Sequence, residues 1–205
     1  MTQPTVFIVD DDHAVRDALR MLIKSVGLPV QVYASGDEFL GAWQAEMRGC
    51  VVADIRMPGM SGLEMQEALQ ERGCRLPVIF ITGHGDVPMA VEAMKAGALD
   101  FVQKPFRDQD LLDRINEGLQ QERNLHQVEV EIEEITGRLE ALTPRERQVL
   151  DRVVSGQPNK VIAMDLDVSQ RTVEIHRARV MEKMQARSLA QLVQMMSRLE
   201  NLRDG

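Results

Sequence analysis

The chain has 205 residues, 44% hydrophobic, 27% charged and only 3% aromatic, with a formal net charge of −8. That length suits two small domains better than one, and Val, Ile, Leu, Met and Ala must fill their cores. Two cysteines without a CxxC pair or a neighbouring His cluster exclude a disulfide framework and a zinc site, and no apolar run is long enough to span a bilayer.

The first residues, Met1-Thr2-Gln3-Pro4, lack the basic and apolar regions of a signal peptide, so a cytoplasmic protein with no membrane partner is expected. Short apolar runs at 6–9, 30–33, 50–53, 78–81 and 101–102 then alternate with amphipathic stretches near 13–26, 36–46, 62–72 and 87–96. Five such alternations predict an α/β fold, a doubly wound five-stranded parallel sheet with helices on both faces. The runs are continuously apolar, as strands buried on both faces should be. Gly27, Gly73 and Gly97 each follow a helical stretch, where a helix C-cap favours glycine.

A polar stretch without proline extends from Asp108 to about Glu140. Leu125, Val128, Ile132, Ile135, Leu139 and Leu142 step by 3, 4, 3, 4 and 3, which fits a short coiled-coil seam or one amphipathic helix packed on its own domains. Thr143-Pro144-Arg145-Glu146 opens a helix with a capping box and proline at its first position. Ser155-Gly156-Gln157-Pro158 breaks it. A short helix over 159–166, a turn with Ser169 as N-cap, a longer helix over 170–185 and a fourth over 188–201 follow. The chain thus divides into a domain over 1–122, a helical linker over 123–140 and a smaller all-α helix-turn-helix domain over 141–205.

Charge follows this division. Residues 1–123 hold 12 Lys+Arg against 19 Asp+Glu, 124–140 hold 1 against 5, and 141–205 hold 11 against 8. An acidic front suits a cation site and a basic tail suits a polyanion.

The first strand ends in Asp10-Asp11-Asp12 and the third in Asp54. In a doubly wound sheet, ligands bind at the carboxyl ends of strands flanking the switch point. The strand order common to such small domains sets strands one and three side by side there. Converging carboxylates repel unless a cation joins them, and oxygen-only ligands favour Mg²⁺ or Mn²⁺. Asp54, alone on its strand end, is the better nucleophile toward a phosphoryl group. Asp12 fits a turn and helix cap. Thr82 closes the fourth strand, where its hydroxyl can bond a phosphoryl oxygen, and Lys104, before Pro105, can pair with the same group. That Lys-Pro bond is a candidate for the cis form.

These pieces resemble a response-regulator receiver domain over residues 5–120: Val9-Asp10-Asp11-Asp12, Asp54-Ile55-Arg56-Met57-Pro58-Gly59, Ile81-Thr82-Gly83-His84-Gly85-Asp86 and Lys104-Pro105-Phe106. The stretch from Thr82 to Phe106 is similar to the FixJ subfamily, through Thr82-Gly83-His84-Gly85-Asp86-Val87-Pro88-Met89-Ala90. The resemblance implies a flavodoxin-like fold, phosphoryl transfer to Asp54 from a sensor histidine kinase, and a metal held by Asp10, Asp11, Asp54 and the main-chain carbonyl of Arg56. It also makes Thr82 and Phe101 a switch pair, and a homodimer is expected when the domain is phosphorylated.

In the tail, Arg171, Glu174, Ile175 and Ala178 recur at i, i+3, i+4 and i+7 on one face of the longer helix, a base-facing set of mixed chemistry. Lys160, Thr172, Arg179 and Lys183 suit phosphate contacts. Val173, Val180 and Met184, with the Arg177 stem, form its buried stripe. A four-helix packing domain with solvated charges remains compatible with this spacing. Residues 141–200 resemble the LuxR-type helix-turn-helix through Leu142-Thr143-Pro144-Arg145-Glu146, Asn159-Lys160-Val161-Ile162-Ala163 and Thr172-Val173-Glu174-Ile175-His176. That resemblance implies binding of double-stranded DNA as a dimer, contact with RNA polymerase, and regulation of transcription, more in the manner of an activator than a repressor. Two rivals stand beside it. A phosphohydrolase would carry a second Asp where Arg56 stands, so an enzyme is not expected. A protein-interaction adaptor would use the tail on protein rather than DNA.

Overall fold

The computed structural model describes residues 3–83 and 87–203, so His84, Gly85 and Asp86 of the Thr82–Ala90 motif lie outside the described residues. The chain forms two compact units, Met1–Leu125 and His126–Gly205.

The first unit is a five-stranded all-parallel sheet, β1 (Thr5–Val9), β2 (Val30–Tyr33), β3 (Gly49–Asp54), β4 (Val78–Thr82) and β5 (Asp100–Gln103), in the order β2-β1-β3-β4-β5. Helices α1 (His13–Ser25), α2 (Gly36–Ala42), α3 (Gly62–Glu71) and α4 (Val87–Lys95) connect the strands, and α5 (Asp108–Glu140) follows β5. Successive strand residues face opposite sides, and in the central strands β1, β3 and β4 both sides are buried. Phe7, Val9, Val51, Ala53 and Phe80 pack with Phe39, Met65 and Leu69 of α2 and α3. Val6, Ile8, Val52, Ile79 and Ile81 pack with Leu19 and Ile23 of α1 and with Leu111, Ile115 and Leu119 of α5. Each such fully buried side chain contributes roughly 1.5–3 kcal/mol. The doubly wound expectation therefore holds, and Gly27, Gly73 and Gly97 adopt the left-handed φ of C-terminal caps.

Helix α2 is shorter than its amphipathic pattern, ending at Ala42 instead of near residue 46. Trp43 donates its N–H to Phe39 O and turns extended, with φ −65° and ψ 137°, so the chain leaves the helix for the approach to β3.

Helix α5 runs 33 residues without a break. Its last turns belong to the second unit, where Ile135 and Leu139 are buried and Ile132 packs beside them. Leu125 and Val128 remain exposed. The lower half of the 3-4 pattern is therefore an ordinary core-facing stripe. The rest of that unit is α6 (Pro144–Val154), α7 (Asn159–Asp165), α8 (Gln170–Lys183) and α9 (Leu189–Arg203). Thr143 makes a full capping box with Glu146, and Ser169 caps α8. Val173, Val180 and Met184 are buried among Val149, Leu150, Ile162 and Leu192. Among the described residues, no helix is long and apolar enough to cross a membrane.

Candidate functional site

The sheet order brings the carboxyl ends of β1 and β3 together. Register pairs Val9 with Ala53 on those neighbouring strands and Asp54 with Ile81 on β3 and β4. As a result, carboxylate oxygens of Asp10, Asp11 and Asp54 lie within 4.8 Å of one another. Asp10 is buried, Asp54 half-buried and Asp11 exposed, which makes a pocket open on one side.

Each carboxylate is held differently. Asp10 Oδ1 accepts from Asp12 N at 2.8 Å, and Asp54 Oδ1 accepts from Arg56 N at 3.0 Å. Lys104 Nζ reaches Asp54 Oδ2 at 2.8 Å and Asp10 Oδ2 at 3.3 Å. The Asp11 side chain makes no hydrogen bond among the described residues. Burial pushes the Asp10 carboxyl above its ordinary value, and the charge of Asp54 adds to that, against the Asp12 amide and Lys104. Burial works to lower the Lys104 ammonium, yet its bonds to Asp54 and the charge of Asp10 hold it above its ordinary value. A half-desolvated cluster of oxygen donors with surplus negative charge fits a hard divalent cation.

Local structure sets these positions. Asp12 caps α1, accepting from Ala14 N at 2.8 Å, the cap role that its place after Asp10 and Asp11 predicts. Gly62 opens α3 against the end of β3, where a Cβ would fall 2.4 Å from Asp54 O and 2.8 Å from the Phe80 ring. Only glycine lets that helix start so close beneath Asp54. Thr82 is buried, and its carbonyl accepts from Lys104 N at 2.7 Å, so two site residues share one backbone link. The Lys104–Pro105 bond is cis. Phe101, opposite Phe80 in the register, is 38% exposed.

In the second unit, Arg171, Glu174, Ile175, Ala178 and Arg179 are exposed along α8, and Lys160 is exposed on α7. Arg177 Nη1 donates to Asn159 Oδ1 at 2.7 Å and ties the two helices. Thr172 is half-buried with its hydroxyl 2.8 Å from Ser169 Oγ. The Lys183 ammonium bonds Glu146 Oε2 at 2.7 Å and Ala141 O at 3.1 Å, which fastens α8 to the start of α6. The bond to Lys183, with the Thr143 amide, holds the Glu146 carboxyl down at about 2.

Sequence patterns miss three charged contacts. Arg48 and Glu122 form a bidentate pair, Nε–Oε1 at 2.7 Å and Nη2–Oε2 at 3.1 Å. Glu146 with Lys183 is the second. The third is Arg16, whose Nη1 donates to the carbonyls of Asp10 and Asp11. The one available signal was a cation in the first turns of α1, a place that helix electrostatics disfavours.

Comparison with known proteins places these features in context. Residues 6–116 match the response regulator receiver domain and residues 140–196 match the bacterial regulatory proteins of the luxR family. The transcriptional regulatory protein FixJ of Bradyrhizobium diazoefficiens is 42% identical over 203 residues, 99% of each chain. The response regulator protein TmoT of Ectopseudomonas mendocina is 45% identical over 97% of this chain and 90% of its own. Among solved structures, the response regulator StyR superposes with a TM-score of 0.88 at 45% identity, covering 96% of this chain and 99% of that one. Full-length FixJ from B. japonicum gives 0.61 at 42% identity over 98% of each.

Proposed function

The chain belongs to the response-regulator family, as a phosphorylatable transcription regulator with a receiver and a LuxR-type DNA-binding domain and not an enzyme, and from that premise we propose how its own residues carry the signal. The observation that carries the reading is the convergence of Asp10, Asp11 and Asp54 within 4.8 Å, with Lys104 bonded to the last.

Asp54 is the phosphoacceptor. One of its carboxylate oxygens attacks the phosphorus of a phosphohistidine on a sensor kinase. A P–O bond forms to give an acyl phosphate, the P–N bond breaks, and the departing imidazole keeps the electron pair and takes a proton. Asp10, Asp11, Asp54 and the Arg56 carbonyl would hold a Mg²⁺, which would supply charge neutralisation and a template for in-line displacement. Lys104 pairs with a phosphoryl oxygen. Thr82, sharing a backbone bond with Lys104, turns its hydroxyl to the phosphoryl oxygens, which carry about −1.5 to −2. Phe101, exposed at the neighbouring strand, moves into the space behind Thr82.

That movement changes the apolar face made by Val91 and Met94 of α4 with Phe101, all exposed, and a second phosphorylated copy covers it. The paired tails then read DNA. Arg171, Glu174, Ile175 and Ala178 face bases, while Lys160, Thr172 and Arg179 hold phosphates. The site of action is the cytoplasm, with RNA polymerase as the further partner at an activated promoter.

The test is labelling with acetyl phosphate and Mg²⁺. The wild type is expected to become phosphorylated and Asp54→Asn is not. Equal labelling of the two would remove Asp54 from this role.

A further inference from the structure

We propose that Arg16 is a positioning residue for the metal site, holding the main chain of the β1–α1 turn so that the Asp11 carboxylate meets those of Asp10 and Asp54. The proposal rests on the assignment of that cluster to Mg²⁺.

A single Arg16 nitrogen, Nη1, donates to two consecutive carbonyls, Asp10 O at 2.6 Å and Asp11 O at 2.8 Å. Those carbonyls belong to the peptide planes on either side of the Asp11 Cα. Fixing both planes fixes the direction in which the Asp11 side chain leaves the backbone. This matters for Asp11 more than for its neighbours. Asp10 and Asp54 have both carboxylate oxygens in hydrogen bonds, to Asp12 N, Arg56 N and Lys104. The Asp11 carboxylate has none among the described residues, so its aim comes from the main chain alone.

The placement of Arg16 supports a dedicated role. It lies four residues past the Asp12 cap, near the positive end of the α1 dipole, where a cation is disfavoured. No acidic residue in the first turn compensates, and among the described residues Arg16 pairs with no carboxylate. The two carbonyls are what hold it. An arginine that bonded Asp10 or Asp11 through their carboxylates would compete with the metal. Bonding their carbonyls leaves those carboxylates available.

Charge and positioning predict opposite signs, which makes the idea testable. Acting through charge alone, Arg16 would repel Mg²⁺, and its removal would tighten binding. Acting on ligand direction, its removal should weaken binding by about tenfold, the lower end of what groups supporting metal ligands contribute. The experiment is calorimetric Mg²⁺ titration of the full chain for wild type, Arg16→Ala, Arg16→Lys, Asp11→Asn and the Arg16→Ala/Asp11→Asn double variant.

Arg16→Ala is expected to weaken Mg²⁺ binding about tenfold while leaving the urea midpoint of Trp43 fluorescence in metal-free buffer unchanged. Arg16→Lys, whose ammonium can reach the same carbonyls, should recover most of the affinity. The double variant should bind no worse than Asp11→Asn alone, because both act through one ligand. Unchanged or tighter binding by Arg16→Ala, or full additivity in the double variant, overturns the proposal. If Arg16→Ala unfolds the chain, Arg16→Met keeps the stem and carries the same comparison. A wild type that binds no Mg²⁺ removes the metal site itself, an outcome distinct from a wild type that binds and an Arg16 variant that matches it.

Discussion

Lys104 Nζ stands 2.8 Å from Asp54 Oδ2 across 50 residues of sequence. In the proposed mechanism the acceptor is thus already paired with the cation that would meet its phosphoryl group. The pair lets Lys104 offset part of the crowded carboxylate charge of Asp10 and Asp54.

Replacing Lys104 with Ala should therefore keep the fold and bind Mg²⁺ at least as tightly as wild type, since a competing cation is gone. It should lose the phosphorylation-dependent gain in DNA affinity. Circular dichroism, calorimetry and gel shifts with and without acetyl phosphate check the three parts. A full response in Lys104→Ala would show that the ammonium does not transmit the signal.

Arg48 and Glu122 are a bidentate pair with side chains only 16% and 8% exposed. Arg48→Ala leaves the Glu122 carboxylate buried without its partner and should destabilise the first unit by about 3–5 kcal/mol. Trp43, the only tryptophan in the chain, reports that unit in a urea melt. Arg48→Met with Glu122→Leu should recover most of the loss, because no unpaired charge remains.

Glu146 titrates at about 2 instead of its ordinary 4.5, through the bonds from Lys183 and the Thr143 amide. A folded pKa below the unfolded one means that this carboxylate stabilises the fold above 4.5 and stops doing so as pH falls toward 2. Glu146→Gln should be less stable than wild type at neutral pH, and the gap should close across that window. Helical circular dichroism in urea at stepped pH measures it. A gap that stays constant from pH 6 to about 2 would contradict the linkage.

On the proposed readout by α8, Glu174→Ala should relax preference among base pairs, because it removes an acceptor that can bond cytosine. Lys160→Ala should weaken all sequences alike and reduce the salt slope by about 1. Binding-site selection and gel shifts at several salt concentrations separate the two effects. Lys183→Ala should act instead on stability, since its ammonium is engaged by Glu146.

Much of this protein is determined by local sequence. Strands follow from short apolar runs and helices from amphipathic spacing. Caps at Asp12, Thr143 and Ser169 follow from short polar side chains that bond main-chain amides within three residues. All of these depend on neighbours along the chain, and so did the placement of Asp10, Asp54, Thr82 and Lys104 at strand ends. The early exit from α2 at Trp43 did not follow from periodicity, because the route to the next strand decided it. What tertiary structure alone decided is which charged group meets which. Lys183 is bound by Glu146, 37 residues away, Arg48 by Glu122, 74 away, and Arg16 by two carbonyls instead of a carboxylate. A charged side chain bonds whatever the fold brings within about 3 Å, and that proximity is a property of packed elements, not of spacing along one of them.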